Sequence, residues 1–152
     1  MLFGHSRGGT TAMLSCMQNP AISGIVLIMA NYGPPTPPRN QTGGFIVSHR
    51  DLPPGTSITK KQKEFRLPIS YWKDGQKYNP TRALEECTKP KILIYGTEDE
   101  FVSPEEVKSI FQKISEPKMI FEVESKHDYR RNKNAILDVN KAIGRFLNQY
   151  HF

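Results

Sequence analysis

Apolar residues recur along this chain in two rhythms. Met1-Leu2-Phe3, residues 24–30 (around Ile25-Val26-Leu27-Ile28-Met29) and residues 91–96 (around Ile92-Leu93-Ile94-Tyr95) are short, nearly continuous apolar runs. Runs of strand length rich in β-branched residues suit a parallel sheet covered on both faces. Residues 118–124 are of mixed polarity, which predicts a strand nearer a sheet edge. Other stretches repeat at three and four residues. Residues 8–18 carry Ala12, Met13, Leu14, Cys16 and Met17, apolar nearly all round, so a helix buried on both sides is expected, closed by Asn19-Pro20. Ser103-Pro104-Glu105-Glu106 reads as an N-cap, a proline in the first turn and a capping box, ahead of a stripe of Val107, Ile110, Phe111 and Ile114. A helical turn is expected at 81–86. A final helix over 132–150 would place Ile136, Val139, Ile143, Phe146, Leu147 and Tyr150 on one face. Strands alternating with helices predict an α/β fold with a mainly parallel sheet, helices on both faces.

Residues 31–80 interrupt that rhythm. Pro34-Pro35, Pro37-Pro38, Gly43-Gly44 and Pro53-Pro54-Gly55 break the segment repeatedly, with one short helix expected over 59–66. Following a sheet strand, such an insertion is expected to form an irregular lid over the strand's carboxyl end. Its Tyr71, Trp72 and Tyr78 either line a pocket or pin the insertion to the core.

Length and composition narrow the class. The 152 residues suffice for one domain with a real core, and 37% hydrophobic with 24% charged residues is a globular balance. No apolar run approaches the roughly 20 residues of a membrane span. The net charge of +6 is scattered over Lys60-Lys61-Gln62-Lys63, Lys89, Lys91, Arg130-Arg131 and Lys133. Aromatics are not interleaved with these cations, so a solvated surface is expected rather than a nucleic-acid face. Neither membrane nor nucleic acid is expected as a partner. Met1 runs straight into the first turn, and Cys16 and Cys87 have no motif around them. The expectation is a cytoplasmic protein with two small buried thiols.

The chemistry-bearing residues fall after the apolar strands, where α/β sheets gather ligands and catalytic groups. Gly4-His5-Ser6-Arg7-Gly8-Gly9 fits a sharp strand-to-helix turn that exposes the Ser6 hydroxyl, with glycines letting strand and helix pass closely. The helix that follows points its N-terminal N–H groups at that serine. Asp99 lies just past Gly96, within Gly96-Thr97-Glu98-Asp99-Glu100-Phe101-Val102, and His127 just past residue 124. A serine hydroxyl is a poor nucleophile at neutral pH. It needs a histidine base and a carboxylate that fixes the imidazole tautomer. Glu98 and Glu100 stand as alternatives to Asp99. Asp128 is too close to His127 to turn back onto it. His5, at the variable position of the turn, is expected to pack or line a pocket, and no metal-ligand spacing occurs.

With these residues in place, the sequence resembles the α/β-hydrolase superfamily, in its esterase, dienelactone-hydrolase and serine-peptidase branches. The resemblance rests on the turn around Ser6, the acid turn Gly96-Thr97-Glu98-Asp99 with Val102, and the loop of His127. It implies Ser6 as nucleophile, Asp99 as acid and His127 as general base and acid, with the Arg7 backbone N–H as half of an oxyanion hole. The implied reaction is hydrolysis of an ester, thioester or peptide bond through an acyl-enzyme, with no cofactor. In family members the serine turn follows the fifth of eight strands. By this likeness the chain is one domain over 1–152 that lacks its N-terminal half, including the loop that gives the second oxyanion donor. The first strand is then an open edge, prone to self-association or to a partner chain. The contrasting expectation is an inert remnant, or half of a split enzyme, acting as a binding module.

Overall fold

The apolar runs bury one another side by side. The computed structural model describes residues 1–37, 43–50 and 63–152. In chain order the elements are β1 (Leu2–His5), α1 (Arg7–Cys16), β2 (Ile25–Ile28), β3 (Phe45–Arg50), β4 (Lys63–Pro68), α2 (Ile69–Gly75), α3 (Pro80–Glu86), β5 (Lys91–Gly96), α4 (Pro104–Lys113), β6 (Lys118–Val123) and α5 (Lys133–Gln149). The chain divides into two compact units, Met1–Gly33 with Asn79–Phe152, and Pro34–Tyr78.

In the first unit, four parallel strands run in the order β1-β2-β5-β6. The central pair explains the continuous apolar runs. Ile25, Leu27, Leu93 and Tyr95 face a cluster that includes Ala12 and Met13 of α1, Leu84 of α3 and Val107 of α4. Val26, Ile28, Ile92 and Ile94 face the other way, onto Val139, Ala142 and Phe146 of α5. Because side chains alternate across a strand, a strand with helices on both faces is apolar along nearly its whole length, with Lys91 at the start of β5 the exception. Each fully buried Leu or Ile contributes about 1.5–3 kcal/mol relative to exposure. β6 is the sheet edge on the far side and is the strand of mixed polarity.

The helix ends follow the cap residues. The Ser103 side chain accepts from Glu106 N at 3.2 Å, with Pro104 opening α4. Asn132 caps α5 through Asn134 N and Ala135 N. One expectation is filled out and one corrected. On the apolar face of α5, Val139 and Phe146 are buried together with Ala135 and Ala142, and Ile143 and Tyr150 pack half-buried against the same cluster, with Ile136 and Leu147 also half-buried. α1 is buried along one face, through Gly9, Ala12, Met13 and Cys16, while Met17 just past its end is 48% exposed. Among the described residues its buried side chains belong to one of the two clusters only, and Leu14 is half-buried.

The expectation of two separate thiols is also corrected. α1 and α3 pack against each other, which brings Cys16 and Cys87 to a Cα–Cα distance of 6.8 Å, bonded as a disulfide.

The second unit is more regular than the proline and glycine pattern suggests. β3 and β4 pair antiparallel, from Phe45 opposite Pro68 to Arg50 opposite Lys63. Ile69 N then donates to Gly44 O at 3.1 Å as α2 begins. Residues 63–66, expected at the end of a helix, lie in β4, and residues 59–62 lie outside the described residues. A partner strand is available here, and Pro68 biases the residue before it toward extended backbone. Trp72 is buried, whereas Tyr71 and Tyr78 are exposed. No helix among the described residues is long and apolar enough to cross a membrane.

Candidate active site

Ser6 sits where β1 passes directly into α1. Its φ of 54° and ψ of −121° lie on the side of backbone space that non-glycine residues avoid. Neighbouring backbone holds it there. Ser6 N donates to Ile28 O at 3.0 Å, and Ser6 O accepts from Gly9 N at 3.0 Å. Strand and helix approach so closely that a Cβ on Gly4 would fall on the Gly8 carbonyl and Gly9 N. One on Gly9 would fall on the Ala30 side chain. Gly8, by contrast, faces open space, so the crowded glycines are Gly4 and Gly9 rather than the Gly4–Gly8 pair of the spacing. Arg7 is the first residue of α1, so its peptide N–H belongs to the helix N-terminus beside Ser6.

Asp99 lies three residues past β5. Its side chain is only 1% exposed, and Oδ1 accepts from Phe101 N at 2.9 Å and Val102 N at 3.0 Å. The loop after β6 comes close because Gly96 has no side chain: a Cβ there would fall on Ser125 O. Glu98 N donates to Ser125 O at 3.1 Å, joining the two loops. His127 on that loop is 13% exposed. Its Nδ1 lies 2.9 Å from Asp99 Oδ2, and its Nε2 lies 2.8 Å from Ser6 Oγ. The carboxylate faces Nδ1 as an acceptor, so the proton of a neutral ring sits on Nδ1. Nε2 then offers its lone pair to the Ser6 hydroxyl. Asp99, His127 and Ser6 thus form one hydrogen-bonded line across the ends of three strands.

The other nearby titratable groups fall elsewhere. Glu100 Oε2 accepts from the His127 backbone N–H at 3.1 Å, and that bond holds its carboxyl below the ordinary range. Asp128 pairs with Arg130 at 2.7 Å and Arg131 at 3.4 Å. His5 Nε2 lies 2.8 Å from His127 O. The Phe101 ring meets the His127 ring edge-on at 4.9 Å and is itself 72% exposed. Sequence reasoning missed these roles of Glu100, His5 and Phe101, because a contact to a backbone atom or ring carries no spacing signal. No group of His, Cys, Asp and Glu among the described residues could hold a metal ion. An open depression of about 510 Å³ beside the histidine loop is lined by Glu98, Glu100, Lys126 and Arg131, among others, and by none of Ser6, Asp99 and His127.

The sequence model of the PhoPQ-activated pathogenicity-related protein family matches residues 59–151, more than half of the chain. The chain belongs to that family. The match takes in Asp99 and His127 and stops short of Ser6. No curated protein matches the chain. Among solved structures, an esterase domain from Rhodothermus marinus is similar at a TM-score of 0.70 and 19% identity, over 97% of this chain and 60% of that one. Est1E from Butyrivibrio proteoclasticus, solved with ferulic acid bound, gives 0.68 and 17%, over 98% and 59%. The α/β hydrolase GrgF from a Penicillium species gives 0.69 and 11%, over 99% and 63%. These likenesses show the fold of the α/β-hydrolase superfamily. The chain spans about three fifths of the length of these structures.

Proposed function

We propose that this member of the family is a serine hydrolase that cleaves an ester, thioester or peptide bond through an acyl-enzyme on Ser6. The observation that carries the reading is the line from Asp99 through His127 to Ser6, with contacts of 2.9 and 2.8 Å. In this reading His127 Nε2 takes the Ser6 proton as Oγ attacks the acyl carbon. Asp99 stabilises the imidazolium that results, and the same proton then passes to the leaving group. Water deacylates Ser6 by the reverse path. The Arg7 N–H faces the developing oxyanion, where the α1 N-terminus favours negative charge. The substrate class is a small acyl compound or a peptide. Turnover of p-nitrophenyl esters by wild type and by Ser6→Ala tests the reading. Residues of such a unit fail together, so the variant is expected to lose on the order of 10⁴-fold or more in kcat. Retention of a tenth of the rate contradicts it.

A second reading, a non-catalytic interaction module, has one observation in its favour. Among the described residues β1 pairs with β2 alone, and its Phe3 is 54% exposed. An open apolar edge recruits a strand from a second copy or a partner chain. Sizing chromatography that shows association, together with an Ser6 that no acylating probe labels, would favour this reading over the first.

A further inference from the structure

His127 stands on a loop, past the end of β6, yet its ring must keep two hydrogen bonds in register. Its backbone is gripped on both sides. Glu100 Oε2 accepts from its N–H at 3.1 Å, and His5 Nε2 lies 2.8 Å from its carbonyl. A carbonyl only accepts, so His5 carries a proton on Nε2 and donates. The two jaws are the sequence neighbours of the two residues that hydrogen-bond to the ring: His5 precedes Ser6, and Glu100 follows Asp99. His5 is fixed in turn as the last residue of β1, in register with Ile28. Its ring lies 5.2 Å from the His127 ring and 5.5 Å, edge-on, from Tyr129. Burial holds His5 below its ordinary pKa, so its ring is neutral at neutral pH.

We propose that His5 is a positioning residue, which ties the His127 carbonyl to the nucleophile turn and so holds the imidazole between Ser6 and Asp99. The proposal rests on the reading of those three residues as acyl-transfer machinery. A misplacement of about 1 Å costs on the order of 10²-fold in such reactions. His5→Phe keeps the ring and removes the donor; His5→Gln returns an amide N–H close to the position of Nε2. His5→Phe is expected to lower kcat for a p-nitrophenyl ester by roughly ten- to a hundredfold with KM unchanged, and His5→Gln to recover most of the loss. A second readout needs no turnover: the downfield proton resonance of the His127 Nδ1–H held against Asp99. It should be sharp in wild type and in His5→Gln, and lost to exchange in His5→Phe, at equal thermal stability. A sharp resonance and full kcat in His5→Phe would overturn the proposal, as would its absence from wild type. Wild type that turns over no ester, while the resonance still follows the donor at position 5, would sink the hydrolase reading and leave the positioning role standing.

Discussion

The two ends of the parallel sheet are built differently. At the carboxyl ends of β1, β5 and β6, the chain turns sharply, crowds its glycines against backbone and spends its polar side chains on one another. At the amino ends, the same strands are stapled. Cys16, at the close of α1, is bonded to Cys87. Lys89 Nζ donates to Cys16 O and Asn19 O at 2.7 and 2.8 Å. Lys91, fully buried, donates to Cys87 O and Ser115 O at 2.5 and 2.8 Å. These ammonium groups satisfy carbonyls that the helix and loop ends leave open. Strain and polar networks collect where a reaction is proposed, and cross-links collect where only anchoring is needed. Substitutions at the first end should therefore cost rate, and those at the second should cost stability.

The largest expected effect is at the first end. Asp99→Asn keeps an oxygen for Phe101 N and Val102 N, so thermal stability should hardly change. Its amide N–H faces His127 Nδ1, however, and forces the proton onto Nε2. On the pattern of a mis-set tautomer, kcat should fall on the order of 10⁴-fold. If Glu98→Gln or Glu100→Gln does the same damage while Asp99→Asn does not, the acid has been misassigned.

The staple should behave in the opposite way. The disulfide joins residues 71 apart, and a loop of that length stabilises by about 4 kcal/mol in the chain-entropy model. Reduction should lower the urea midpoint accordingly and leave the rate per folded molecule unchanged. A thiol count on the denatured, unreduced chain should find none free.

Lys91→Met should cost about 1–3 kcal/mol, because the Ser115 carbonyl loses the Lys91 donor and the Cys87 carbonyl keeps only the Ser115 hydroxyl, at 2.9 Å. Burial, opposed by Glu116 and aided by Lys118, pushes the Lys91 ammonium down to about 8 from 10.5. The group is charged in both states below pH 8, and the folded chain then bears a charge it disfavours. Between pH 8 and 10.5 the unfolded chain holds the proton and the folded chain does not, so stability rises with pH across that window. Urea midpoints of wild type and Lys91→Met, compared at pH 7 and pH 10, should show wild type gaining on the variant. The smallest effect separates the glycines of the serine turn. Gly8→Ala, inside α1 with open space, should gain about 0.5–1 kcal/mol, whereas an alanine at Gly9 meets Ala30 and should destabilise.

Most of the first unit was legible in the sequence, because its central strands are buried on both faces. β5 spans the residues of its apolar run, and Ser103-Pro104 announces α4. Ser6, Asp99 and His127 were legible as the polar residues just beyond strand ends. The hairpin of β3 and β4 was not, because pairing with a distant strand leaves no periodic mark in Lys63-Glu64-Phe65-Arg66. The disulfide was missed because only the packing of α1 on α3 makes Cys16 and Cys87 neighbours. The second crowded glycine, Gly9 in place of Gly8, depends on where Ala30 lies after β2, which no local spacing encodes.

Covalent labelling by a fluorophosphonate reports most directly on whether the line from Asp99 to Ser6 activates a nucleophile. The intact chain should gain one adduct, located at Ser6 by fragment mass, at a rate that falls sharply in Asp99→Asn and to nothing in Ser6→Ala. A folded chain that takes up no probe, or one labelled equally well after Ser6→Ala, would contradict the proposal that this site performs acyl transfer.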